Sequence, residues 1–267
     1  VARDRQRARE LRRGYVVREA GGLETRVYPE AFGPDEAPPA RFGLILVKTP
    51  DTAAAAATAA RLVEEGAVSL QNGWVEDLFP PPPPPIRQGA TTVAARLDEG
   101  AVVLVSPGMS WVPPEFSDLA TLLTEAGLPA QASGELTAVR LRKLAVNLVI
   151  NPLTAILNRP NGGLLEPEIR ELMAGLVREM APVLKARGLE EGEEEIMRLV
   201  EEVALATAGN VSSMLADVRA GRRTEIEEIT GVLLKWGAGM GLELPRHRAL
   251  YHLVRALEQT DRTRPPQ

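Results

Sequence analysis

This chain of 267 residues predicts an α/β domain built on a parallel sheet, followed by an all-α domain. Two observations carry that expectation. Up to about residue 130, short β-like runs alternate with helix-like stretches in strand, helix, strand order. After Gly134 the strand signals vanish, and apolar residues recur at helical spacing to the end. The boundary falls near residue 135, giving domains of 1–135 and 136–267, and the length suits two domains or one large one.

The elements follow in order. Arg3, Arg5, Arg7, Arg9, Arg12 and Arg13 crowd the opening, and all but Arg3, a separate case, read as a solvated basic helix face. Gly14 ends that helix, and 15–17 is a short strand. Residues 42–47 read as a buried strand with Lys48 and Thr49 at its carboxyl end. An alanine-rich helix spans about 52–65, Gly66 ends it, and 67–70 is the next strand, closed by Gln71-Asn72-Gly73. Ligands of parallel sheets gather beyond the carboxyl ends of strands, where Lys48 and Asn72 stand. Ordinary turn chemistry accounts for the two residues equally well. Six prolines at 80–85 predict an extended polyproline segment, a stiff surface connection. Residues 90–93 and 101–105 read as strands joined by the Asp98-Glu99-Gly100 turn. Helices are predicted at about 136–157, 166–187, 193–207, 211–220, 224–240 and 246–259.

Composition narrows the chemistry. The chain has no cysteine, which excludes a disulfide scaffold, a thiolate nucleophile and a cysteine zinc site. With His247 and His252 as its only histidines, it is not expected to hold a histidine-rich metal site. A net charge of -5 and 4% aromatic residues argue against nucleic acid as a partner. Its apolar runs are too short for a transmembrane helix, and no signal peptide follows Val1. A cytoplasmic enzyme or binding protein that works with Lys, Glu, Asn and Ser is the expectation.

The most informative stretch opens at Arg142. Lys143, Asn147 and Asn151 fall at i, i+4 and i+8, so one helix face carries three polar groups among Leu, Ala, Val and Ile. A helix that apolar is mostly buried, and a buried lysine and two buried amides need partners. The plain alternative is a solvent face, although such faces carry Glu, Lys and Arg more often than Asn. Pro152 predicts a kink or the start of a break. Asn210, Ser212 and Ser213 open a later helix, and Arg222-Arg223-Thr224-Glu225-Ile226 starts another. N-capping accounts for the serines and first-turn charge for Glu225. Three such segments in one helical domain nonetheless point to a polar pocket.

These residues carry a family likeness. The stretch RKLAVNLVINPLTAILNRPN (142–161), followed by NVSSMLAD (210–217) and RRTEI (222–226), resembles the ketopantoate reductases, or 2-dehydropantoate 2-reductases. The likeness extends over essentially the whole chain. It implies a Rossmann-like NADP-binding domain followed by a helical substrate and dimerisation domain. The implied activity is NADPH-dependent reduction of 2-dehydropantoate to pantoate, in pantothenate and coenzyme A biosynthesis. Lys143 is implied as the general acid that protonates the ketone oxygen as hydride arrives, with Glu225 polarising or positioning it. Asn147, Asn151 and Ser213 would hydrogen-bond the substrate, with Asn161 and Asn210 supporting that site. Asn72 would meet both substrate and cofactor, Lys48 would lie by the cofactor, and Arg3 would hold the 2′-phosphate of NADPH. The nicotinamide carries the redox chemistry, so no metal is implied.

The chain also departs from the family pattern. It contains no G-x-G-x-x-G loop for a pyrophosphate. The Rossmann-like domain therefore reads as incomplete at its N-terminus, by about thirty residues of a βαβ unit. An open sheet and weakened dinucleotide binding are the expectation. The segment after Asn72-Gly73 is shortened, and Val93 stands where family members often have His after a Thr-Thr pair. Two alternatives stay open: a paralogue acting on another 2-oxo acid, and a truncated, non-catalytic remnant lacking cofactor binding. A homodimer is compatible with the helical domain, but no residue fixes it.

Overall fold

A computed structural model describes residues 1–19, 21–81, 83–98 and 100–260. The chain divides into two compact units, one of residues 1–71 with 75–136, the other of residues 72–74 with 137–267.

The first unit is mixed α/β. Helix α1 (Arg5–Arg12) is capped by Asp4, whose carboxylate accepts the Arg7 N–H at 2.7 Å, and its arginines are exposed. Strands β1 (Tyr15–Arg18), β2 (Glu24–Val27) and β3 (Ala40–Ile45) follow, then α2 (Thr52–Leu62) and β4 (Val63–Ser69). The remaining elements are β5 (Ile86–Gln88), β6 (Ala90–Thr91), β7 (Ala94–Asp98), β8 (Ala101–Ser106), β9 (Ser110–Val112), α3 (Ser117–Glu125) and β10 (Ala130–Ala132). They form three small sheets, in the orders β2-β1-β8-β7, β10-β9-β6 and β3-β4-β5. The last is parallel throughout, as the strand, helix, strand order of the sequence predicts. The small side chains of α2 let it lie close to this sheet, and Ala56 packs with Ile45, Ala67 and Ile86 in one buried cluster.

Several elements differ from their predicted bounds. Helix α2 stops at Leu62 and β4 starts at once, so Gly66 lies inside a strand instead of ending a helix. It sits where the β3–β4 register shifts, with φ of 136°. A Cβ there would lie 2.5 Å from the Pro85 carbonyl and 3.0 Å from the Phe116 ring. Close approach at a bulge, not helix termination, therefore requires this glycine. Strand β6 is shorter than expected and pairs with β9, while β8 forms its hairpin with β7. Glu99 of the expected turn lies outside the described residues, as does Pro82 of the proline run. That run bends at Pro83 and Pro84, which are joined by a cis peptide, where an extended segment was expected.

Among the described residues the second unit consists of helices and their connections, with the short segment 72–74 added to it. It contains α4 (Leu136–Leu157), whose first residue belongs to the other unit, α5 (Pro167–Lys185), α6 (Glu193–Ala206), α7 (Ser213–Arg219), α8 (Val232–Gly239) and α9 (Pro245–Thr260). Met173, Leu176, Met180 and Leu184 form one fully buried stripe along α5. They pack with Leu148 and Leu153 of α4, Ile196 and Val200 of α6, and Leu233 of α8. Each such side chain contributes roughly 1.5–3 kcal/mol on burial. The α9 N-terminus is capped from a distance: Glu179 of α5 accepts the backbone N–H of Arg246 at 3.0 Å and that of His247 at 3.2 Å. The predicted helix at 224–240 is present over residues 226–239 but is not α-helical throughout. It carries a π-helical turn at Glu227–Gly231, which runs directly into α8.

Candidate active site

Helix α4 carries Lys143, Asn147 and Asn151 on one face, about 6 Å apart per step along the axis. Leu144, Ala145, Leu148 and Ile150 around them are buried. Lys143 and Asn147 are half-buried, and Asn151 is buried. The stripe is therefore not a solvent face. Pro152 lies within α4 without breaking it, since the helix runs on to Leu157. Burial lowers the Lys143 pKa to about 8, against the opposing field of the Glu225 carboxylate. An ammonium poised this close to neutrality is a competent proton donor.

Glu225 stands just ahead of the π-helical turn and is met by the segment 72–74. Asn72 Nδ2 donates to Glu225 Oε2 at 3.1 Å. The Trp74 N–H donates to the Glu228 carbonyl at 2.9 Å. The wide turn makes that carbonyl available: the Val232 N–H bonds Glu227 O and Ile229 O, passing over Glu228 O. Between the two contacts Gly73 adopts φ of 73°, and a Cβ on it would lie 2.6 Å from the Glu228 oxygen. The Trp74 ring meets Trp236 edge-on at 5.1 Å, and the Arg140 guanidinium lies 3.7 Å from its centre. Burial raises the Glu228 carboxyl above its ordinary range.

The serines divide their work. Ser212 is the cap of α7, accepting the Leu215 N–H at 3.1 Å, and its hydroxyl lies 2.6 Å from that of Thr154 on α4. Ser213 is the first residue of α7 and is exposed. Asn161 is buried; its Nδ2 donates to the Thr207 hydroxyl at 2.8 Å, and its N–H to the Asn210 carbonyl at 3.0 Å. Asn210 itself is exposed. Asn161 and Asn210 thus tie together the turns after α4 and before α7. Lys48 and Arg3 belong to the first unit. Lys48 is exposed beyond the carboxyl end of β3, and the exposed Arg3 pairs with Asp4 at 3.2 Å. Gly73, Trp74, Arg140 and Thr154 were not singled out from sequence, although the Asn-Gly pair did signal a tight turn at 72–73. Among the described residues no group of His, Asp and Glu could hold a metal ion, and no helix is long and apolar enough to cross a membrane.

Sequence profiles of known families match both units. The profile described as "Ketopantoate reductase PanE/ApbA" covers residues 1–114, and "Ketopantoate reductase PanE/ApbA C terminal" covers residues 135–258. A 2-dehydropantoate 2-reductase of Archaeoglobus fulgidus is 33% identical over 97% of this chain and 88% of its own length. The chain belongs to the ketopantoate reductase family. A 2-dehydropantoate 2-reductase of Yersinia pestis is 37% identical over 71% of this chain, and the matched region spans 64% of that relative. Among solved structures, a ketopantoate reductase from Ralstonia eutropha superposes with a TM-score of 0.82 at 23% identity, over 97% of this chain and 89% of that one. A D-mandelate dehydrogenase with NADH and anilino(oxo)acetate gives 0.84 at 22% identity, over 96% and 89%. At these identities the two structures establish the shared fold. The expected order of an α/β unit followed by a helical one is thus the order of a ketopantoate reductase.

Proposed function

We propose that this family member reduces 2-dehydropantoate to pantoate with NADPH, using Lys143 as the general acid. One observation carries the reading: a desolvated Lys143, with a pKa near 8, faces a Glu225 carboxylate that Asn72 holds in place. When bound, the dihydronicotinamide supplies a hydride to the ketone carbon. Negative charge then develops on the ketone oxygen, and the Lys143 ammonium stabilises it and delivers the proton. Burial dominates the Lys143 pKa, and the Glu225 carboxylate opposes it in part, which helps the lysine keep its proton near neutral pH. Asn147, Asn151 and Ser213 serve the substrate's carboxylate and hydroxyl, with Asn161 and Asn210 bracing the neighbouring turns. Amides hold a small carboxylate without adding a charge that must itself be desolvated. Asn72 contributes to the same substrate site.

For the cofactor, the first unit offers residues of the right chemistry. Beyond the carboxyl end of β3, Lys48 is exposed, and the adjacent Thr49 hydroxyl is buried with no hydrogen-bond partner. An unmet buried hydroxyl at that end of a parallel sheet fits a ligand with polar groups. Arg3 would take the 2′-phosphate that distinguishes NADPH from NADH. In this chain Lys48, Thr49 and Arg3 are the residues that would hold the cofactor.

The test is oxidation of NADPH, with NADH in parallel, in the presence of 2-dehydropantoate and a panel of other 2-oxo acids. The proposal expects turnover with 2-dehydropantoate, a preference for NADPH, and loss of turnover in Lys143→Ala with folding intact. Faster turnover of another 2-oxo acid would overturn the substrate. A folded protein inert toward all of them would overturn the reductase reading.

A further inference from the structure

Near its carboxyl end, α9 carries a half-buried glutamate, its side chain mostly covered, with no part in the chemistry above. We propose that Glu258 is a positioning residue for Glu225, acting through Thr224. The inference rests on reading Lys143 and Glu225 as the acid and its partner. The Glu258 side chain is only 9% exposed, and a carboxylate so placed is costly unless it is bonded. Its Oε1 accepts two bonds from one residue, the Thr224 N–H at 2.7 Å and the Thr224 hydroxyl at 2.7 Å. The same hydroxyl accepts the Ile226 N–H at 3.3 Å. The residues on both sides of Glu225 are therefore tied to one carboxylate of α9, more than thirty positions away in sequence. On the far side, the Ile229 N–H bonds the Glu225 carbonyl at 3.1 Å. The backbone that aims Glu225 is thus fixed before and behind.

The charged groups around Glu258 suit a strut better than a second proton relay. Arg255 Nε lies 3.5 Å from Glu258 Oε2, and Arg255 Nη1 lies 3.5 Å from Glu227 Oε2. The Tyr251 hydroxyl donates to that same Glu227 oxygen at 2.5 Å. Arg255 thereby spans Glu258 and Glu227, while the bonds that reach Glu225's neighbours come from Glu258. Charge-assisted bonds to N–H and O–H donors are the stronger class, so one carboxylate can hold this turn.

A carboxylate that only anchors the end of α9 would leave the titration of Lys143 unchanged; one that aims Glu225 would not. The measurement is the pH dependence of Lys143 acetylation by trace acetic anhydride, read by mass spectrometry over about pH 6 to 11. It requires no turnover, so it stands even if the reductase reading fails, and NADPH oxidation is assayed separately. Removing a carboxylate's field lowers a lysine's pKa, so Glu225→Gln should titrate lower than the parent. Glu258→Ala should shift Lys143 in the same direction, by about half a unit or more. Glu258→Gln, which keeps the accepting oxygen, should restore most of the parent behaviour. Adding Glu258→Ala to Glu225→Gln should shift nothing further. If Glu258→Ala does not fold, Thr224→Val, which removes only the hydroxyl link, carries the test with a smaller shift. An unchanged Lys143 titration in folded Glu258→Ala, or in Thr224→Val when that variant carries the test, would overturn the proposal. So would an equal shift in the Glu225→Gln background.

Discussion

Replacing Gly73 with alanine tests how tightly the segment 72–74 is bound to the helical unit. The substitution meets two penalties. A non-glycine residue at φ of 73° costs roughly 1–2 kcal/mol. The new Cβ would also stand 2.6 Å from the Glu228 oxygen and 2.8 Å from its Cβ, distances that require something to move. The cheapest escape is release of the segment. That forfeits the Trp74–Glu228 backbone bond, the Asn72–Glu225 bond and the Trp74–Trp236 contact. At about 1 kcal/mol for the neutral bond, about 2 for the bond to a carboxylate and about 1 for the ring pair, release costs on the order of 4 kcal/mol. Gly241 supplies the control, with φ of 70° and nothing within 4 Å of the place a methyl would occupy. Gly241→Ala therefore incurs the conformational cost alone. Urea unfolding of both variants, with hydrogen exchange at the Trp74 amide, separates the effects. Gly73→Ala should lose about 2 kcal/mol more than Gly241→Ala, or exchange the Trp74 amide freely. Equal losses with the amide still protected would refute the reasoning.

Three further outcomes follow from the same structure. If Lys143 donates the proton, its charged form is the active one, so turnover should fall as pH rises through about 8. In Glu225→Gln that limb should move to lower pH, as a pH–rate profile would record. Lys143→Ala should lose roughly a hundred- to ten-thousand-fold in kcat while its circular dichroism is unchanged. The Glu179 carboxyl is opposed by its burial, but bonds from the His247 ring, the Arg246 and His247 N–H groups and the Arg246 side chain outweigh this and hold its pKa at about 2, below the ordinary 4.5. Its folded value is depressed, so its stabilisation is present above about 4.5 and fades as pH falls toward 2. Denaturant titrations should find Glu179→Gln less stable than the parent near neutrality and closer to it in acid.

Much of the candidate site was legible because helical periodicity is local. Lys143, Asn147 and Asn151 share a face by spacing alone, and their apolar neighbours announce burial. The partner of Lys143 was reached by resemblance, since no periodicity links residues 72, 143 and 225. The π-helical turn was not legible at all: Ile226, Ile229, Leu233 and Trp236 recur at steps of three and four, as they would in a plain α-helix, so the pattern does not show where the backbone widens. In the first unit the misreadings have another cause. Strand β7 (Ala94–Asp98) is largely exposed, and β2 (Glu24–Val27) has mostly exposed side chains, so neither has the alternation that marks a half-buried strand. Gly66 carried a true signal assigned to the wrong event, because close packing and helix termination both select glycine.

The π-helical turn also acts as an offset in the angular frame of its helix. One surplus residue rotates everything beyond it by about 100° relative to an uninterrupted α-helix. The aim of Glu225 and the inward facing of Leu233 and Trp236 can therefore be set separately by one continuous stretch of chain. Deleting one residue from Glu227–Gly231 would return the ladder to even spacing. It would also turn Glu225 away from Lys143 or swing the α8 side chains out of the core. A length change of one residue is thus far less tolerable here than most substitutions at the same positions.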